Sequence, residues 1–199
     1  MSRARQFSER EALQRATGLF AVHGYQGTSL AMLLEATGLA RQSLYNCFGD
    51  KRDLYLHALE LVAEHYAALQ ARLRAAPTGR AALETYLDQL VHGCSHGGPG
   101  RYCLLASGLQ EGIEDPLVRS RLSERWAVAH EVLREAVERG QKDGSVRNLG
   151  PSAALADLLL AVSSGMRVNA GAAFSPDRHR RTADLALSVL DRDDPPEQF

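Results

Sequence analysis

Aromatic residues make up only 6% of this 199-residue chain, with a single tryptophan, and cysteine occurs three times. Few aromatics leave little of the material from which sheets are built, which argues against an all-β fold. The odd set Cys47, Cys94 and Cys103 lacks the dense spacing of a secreted disulfide scaffold, so reduced thiols are expected. No apolar run approaches the roughly 20 residues of a membrane span, and none follows Met1 to Gln6 as a signal peptide requires. A cytoplasmic protein without a membrane partner is expected. A nucleophile elbow, a Walker loop, a dinucleotide-binding glycine fingerprint and a paired-cysteine zinc motif are all missing from the sequence, and Gly97-Gly98-Pro99-Gly100 follows no strand pattern. Enzymatic activity, a cofactor and a bound metal are therefore not expected. Nor does either sign of charge dominate, the net being −1.

What is present is Ala, Leu, Arg and Glu in quantity, with 45% hydrophobic and 24% charged residues overall, which points to an all-α globular fold. The near-neutral total conceals a local bias. Through Arg52 there are seven Lys/Arg against four Asp/Glu, a net +3, which leaves −4 on the remainder. A weakly basic head precedes an acidic body.

Helical periodicity starts at Ser8, where Ser8 and Glu11 have the form of a capping box, and continues through Leu13, Ala16, Leu19 and Phe20 to Val22. Two glycines in His23 to Gly27 break it. Thr28 is then placed to cap a second helix reaching about Ala36, Thr37-Gly38-Leu39 turns, and Ala40 to Phe48 can form a third helix of just over two turns. From Lys51 a long apolar-periodic segment runs to Pro77 as a connecting helix. Five more helical segments follow, Gly79 to Cys94, Arg101 to Gly112, Pro116 to Gly140, Pro151 to Ala173 and Pro176 to Leu190, each bounded by Gly or Pro.

Two short helices joined by a tight glycine-containing turn make a helix-turn-helix, and the second is sized for the DNA major groove. At 100° per residue, Ala40, Leu44, Cys47 and Phe48 share one side of the third helix, while Arg41, Gln42, Tyr45 and Asn46 share the other. Arg pairs bidentately with guanine, Gln and Asn with adenine, and Tyr or Ser hydroxyls reach phosphates. Thr28, Lys51 and the arm residues Arg3 and Arg5 are placed to meet backbone phosphates.

Gly24-Tyr25, Thr28-Ser29, Gly38-Leu39 and the run from Leu44-Tyr45 through Phe48 and Lys51 to Leu54 resemble the TetR/AcrR family of repressors, over about Phe7 to Leu56. The resemblance implies a three-helix DNA-binding domain over residues 1–50, joined by a long helix to a helical ligand-binding and dimerisation domain over 51–199. By the same resemblance Arg41, Gln42, Ser43 and Asn46 contact bases, and Thr28, Tyr45 and Lys51 contact phosphate. It also implies a homodimer, double-stranded operator DNA as partner, and release by a small-molecule inducer. Cys47, Ala40 and Ala31 depart from the family pattern in and beside the reading helix, so the operator sequence does not follow.

In the body, Leu155, Leu158, Leu159, Val162 and Met166 form an apolar stripe for a partner chain or for internal packing. Tyr66, Tyr86, Tyr102 and Trp126 are candidate ligand-pocket walls, with core packing as the ordinary alternative. His92, Cys94 and His96 alternate as metal ligands would, but an exposed loop with incidental His and Cys accounts for them better. The segment Arg101 to Leu105 resembles a Gly-Cys-Leu stretch in one branch of the family, some of whose members sense electrophiles. That makes Cys103 a redox candidate, against a buried inert thiol. Two further functions stay open: a cysteine-based sensor version of the same regulator, and a helical protein-interaction module without specific DNA readout.

Overall fold

Within residues 8–95, 103–172 and 175–192, which the computed structural model describes, there are nine α-helices, one short 3-10 turn and no strand. The helices are α1 (Glu9–Gly27), α2 (Leu30–Thr37), α3 (Arg41–Phe48), α4 (Lys51–Ala75), α5 (Gly79–Ser95), α6 (Leu104–Gln110), α7 (Pro116–Asp143), α8 (Ser152–Gly171) and α9 (Pro176–Ser188), followed by the 3-10 turn Val189–Asp191. The all-α architecture is as the sequence implied, with helix ends moved by a few residues. Contacts divide the described residues into two compact units, one from Met1–His65 with Leu104–Glu124, the other from Tyr66–Cys103 with Arg125–Phe199. No helix among the described residues is long and apolar enough to cross a membrane. Arg3, Arg5, His96, Arg101 and Tyr102 lie outside the described residues.

In the N-terminal unit, Ser8 caps α1 by accepting from the Glu11 amide at 3.4 Å, and Ala12, Ala16 and Phe20 bury one face. The expected break within His23 to Gly27 falls at Gly24, whose φ of +73° belongs to the left-handed region, and helical turns lie on both sides of this kink up to Gly27. The expected cap of α2 is corrected. Thr28 is fully buried and its hydroxyl donates to the Gly24 carbonyl at 2.6 Å, while Ser29 caps α2 by accepting from the Met32 amide at 3.2 Å. Gly38, at φ +70°, ends α2 with its N–H on the Leu34 carbonyl and turns the chain into α3. Asp50 and Asp53 then cap α4 reciprocally, each carboxylate accepting the other's amide, at 3.0 and 3.2 Å.

In the C-terminal unit, Leu83, Leu87, Leu133, Val137, Leu159 and Met166 form a shared core from α5, α7 and α8. Arg139 of α7 caps the end of α4, donating to the carbonyls of Leu73 at 2.8 Å and Arg74 at 2.9 Å. The stripe on α8 divides: Leu155, Leu159 and Met166 point into this core and Val162 packs half-buried against it, so most of the stripe is internal. On α8 and α9 the exposed large apolar residues among those described are Leu158 (39% exposed), Val168 (64%) and Leu185 (69%).

Close helix approach in this unit depends on missing side chains. A Cβ added to Gly79 would lie 2.1 Å from the Gly140 nitrogen and 2.3 Å from the Ala136 oxygen, both backbone atoms. One at Gly18, inside α1, would meet nothing within 4 Å. Gly79→Ala is expected to destabilise the protein by about 1–3 kcal/mol and Gly18→Ala to stabilise it by roughly 0.5–1 kcal/mol. Urea unfolding of the two variants checks this, and shifts of the same sign would contradict the packing described.

Candidate nucleic-acid interface

On α3, Leu44 and Phe48 are buried while Arg41, Gln42, Ser43 and Asn46 are exposed. Tyr45 is half-buried beside them. The inward side differs from expectation at its edges, because Ala40 is exposed and Cys47 is only half-buried, with the Glu9 carboxylate against its thiol. Burial first, and then that carboxylate, push the Cys47 thiol up from its ordinary pKa.

Four of the outward residues form two pairs one helical turn apart. The Arg41 guanidinium donates to the Tyr45 hydroxyl at 3.4 Å and lies 5.4 Å from the centre of its ring. The Gln42 side-chain amide donates to the Asn46 oxygen at 2.9 Å. A short helix with a guanidinium, two carboxamides and hydroxyls on one face carries the donors and acceptors that base edges and phosphates require.

Lys51, the first residue of α4, holds its ammonium 4.7 Å from the centre of the Tyr25 ring. Burial lowers its pKa, and the Glu111 carboxylate works in the opposite direction. Thr28 is not brought to this surface, since its hydroxyl is committed to Gly24 in the interior. At the equivalent helix start the exposed hydroxyl is that of Ser29.

Glu111, which sequence reasoning missed, organises the turn before α2. Its two carboxylate oxygens accept from the backbone N–H groups of Tyr25 and Gln26, each at 2.9 Å. A Cβ on Gly24 would stand 2.0 Å from one of those oxygens, so glycine there serves both the backbone angle and the carboxylate's approach. The Tyr25 ring meets Tyr55 edge-on at 5.0 Å, and Tyr55 meets Phe20 at 5.0 Å. Burial, followed by the Asp50 charge, raises the Tyr25 phenol.

In the C-terminal unit, two of the candidate pocket residues are brought together by a residue the sequence reading did not select. Arg167 of α8 donates to the Tyr66 hydroxyl at 3.2 Å, and its charge is felt by Tyr86, Cys103 and Cys94 as well. Tyr66 also hydrogen-bonds Cys103, and burial raises both phenols. Trp126 packs half-buried against the core of the same unit. Arg167 was detectable as the lone charged residue between Asp157 and Asp177. His92 and Cys94 diverge, one exposed and one buried, because the segment is helical through Ser95 and positions two apart face different ways.

A buried-backed α3 following a glycine turn, with polar readers outward, defines a helix-turn-helix DNA-binding regulator. Residues 12–58 match the bacterial regulatory proteins of the tetR family. The chain is 32% identical over 198 residues to the HTH-type transcriptional regulator YezE of Bacillus subtilis (strain 168), covering 96% of this chain and 100% of that relative. It is 30% identical over 161 residues to the HTH-type transcriptional repressor AcnR of Corynebacterium glutamicum, 79% of each. Among solved structures, a cysteine-substituted CifR bound to 26-bp double-strand operator DNA superimposes with a TM-score of 0.82 at 29% identity, covering 95% of this chain and 100% of that one. The chain belongs to the TetR family of bacterial transcriptional regulators.

Loss of the Glu111 carboxylate is expected to leave the Tyr25 and Gln26 amides without their acceptor. Glu111→Ala should accelerate hydrogen exchange over the 24–27 segment about tenfold or more, the equivalent of roughly 1.4 kcal/mol. Unchanged protection there, measured by mass spectrometry, would remove Glu111 from this role.

Proposed function

We propose that this regulator is a cytoplasmic repressor that binds a two-fold-symmetric operator as a homodimer and is released by a small-molecule inducer. The observation that carries the reading is the α3 surface, exposed at Arg41, Gln42, Ser43 and Asn46 over the buried Leu44 and Phe48. Those four residues take base edges, and Tyr45 and Lys51 take phosphates. Residues 1–50 are the DNA-binding part and 51–199 the inducer-binding and dimerising part. Leu158, Val168 and Leu185 support dimerisation, because three exposed apolar side chains on α8 and α9 favour burial against a second copy. Tyr66, Tyr86 and Trp126 are offered as inducer contacts. The relatives' names support transcriptional regulation rather than a catalysed reaction.

The mechanism follows from groove spacing. Two recognition helices must meet major-groove faces about 34 Å apart, one helical turn, so any population shift toward a dimer with a different spacing abolishes specific affinity. Inducer acts by binding that second population more tightly.

Titrating a specific duplex across a salt series tests the residue roles. Arg41→Ala is expected to relax preference at one base position, at a cost of about 1–3 kcal/mol. Lys51→Ala should weaken all sequences alike and reduce the salt slope by about 1. Equal losses at every base for both variants would contradict the assignment.

A second reading, a cysteine sensor version of the same regulator, is favoured by the contact of Cys103 with Tyr66 beside the Arg167 guanidinium. Cys94 is buried, and the Cys47 thiol is made less acidic by burial and by Glu9. Cys103 should therefore be alkylated by iodoacetamide before the other two. Labelling of Cys47 ahead of Cys103 would dismiss this reading and leave the inducer-released repressor standing.

A further inference from the structure

Resting on α3 as the base-reading helix, we infer a division of labour along it: Tyr45 and Asn46, beyond their own contacts with DNA, brace Arg41 and Gln42, which read guanine and adenine respectively. The basis is the pairing on the exposed face. Arg41 reaches one turn forward to Tyr45, whose hydroxyl accepts at 3.4 Å and whose ring lies 5.4 Å from the guanidinium carbon. Gln42 reaches one turn forward to Asn46 at 2.9 Å. In both pairs the longer, more flexible side chain is held by the residue nearer the C-terminal end of the helix. Each loses rotamer freedom before DNA arrives, which reduces the ordering cost of a bidentate contact.

Hydrogen-bond direction and position along the helix separate the two carboxamides. In donating one N–H to Asn46, Gln42 keeps its Oε1 acceptor and its second N–H, the combination that adenine N6 and N7 require. Asn46 gives one lone pair of its oxygen to Gln42 and keeps the second lone pair and both Nδ2–H donors. Gln42, nearer the N-terminal end of α3 and held by Asn46, is the adenine reader of the pair. Arg41 keeps further N–H donors beyond the one given to Tyr45, enough for the guanine O6/N7 pair. Braced readers in the first turn of α3 also agree with a recognition helix that meets the groove by its N-terminal residues.

The test uses the full-length protein and a duplex bound by it, together with every single-base change of one half-site. Wild type should prefer adenine at one position by roughly 10- to 100-fold, and Gln42→Ala should bring that position to near parity. Asn46→Ala should weaken the same preference several-fold. Asn46→Asp retains an oxygen to accept from Gln42 and should keep the adenine preference, while its negative charge lowers affinity for every duplex. If Gln42→Ala changes no position, or if the adenine preference survives Gln42→Ala and is lost in both Asn46 variants, the assignment is overturned while DNA recognition by α3 stands. A wild-type protein with no base preference at any position overturns both together.

Discussion

The two backbone N–H groups of Tyr25 and Gln26 converge on one carboxylate, that of Glu111, and the DNA-binding unit is arranged around this contact. Ionic hydrogen bonds to a single acceptor hold the last turn of α1 beyond the kink at Gly24. Gly24 makes room for it and supplies the left-handed angle, and the turn in turn delivers Tyr25 to the Phe20 and Tyr55 rings. With Tyr25 fixed, Lys51 has an aromatic surface to rest on, and Thr28 and Ser29 fall where one secures the interior and the other starts α2. The seat of Lys51 and the start of α2 thus follow from a constraint that begins at Glu111, just after α6.

A different constraint governs the C-terminal unit. A guanidinium in an otherwise apolar part of α8 is expensive to bury, and Arg167 is accommodated by phenols and thiols from elsewhere in the unit, among them Tyr66, Tyr86, Cys94 and Cys103. The phenols and thiols are neutral when protonated, and the Tyr66 hydroxyl accepts directly from the guanidinium. The same chemistry suits a small ligand and a reactive thiol, which is why both readings of the body draw on one group of residues.

The helices were legible because their signals are local: capping Ser8, the glycines at 24 and 38, Pro116 and Pro176, and apolar spacing between them. The outward face of α3 followed from the same periodicity. Thr28 was misassigned because threonine and serine side by side are both competent caps, and only the packing of Thr28 against Gly24 decides between them. Glu111 was invisible for a comparable reason, since its partners lie more than eighty residues away and are backbone atoms, which no sequence pattern marks. On α8, leucine spacing identified an apolar stripe but not the side that turns inward. The core took Leu155, Leu159 and Met166, and left Leu158 and Val168 outside.

The most direct test of the account is selection of bound duplexes from a random library with the purified full-length protein, sequenced after repeated rounds at rising salt. The account predicts an enriched inverted repeat with half-site centres separated by one helical turn or a multiple of it. Binding that follows salt alone, with no sequence enriched, would contradict it and leave the helical protein-interaction module as the better description.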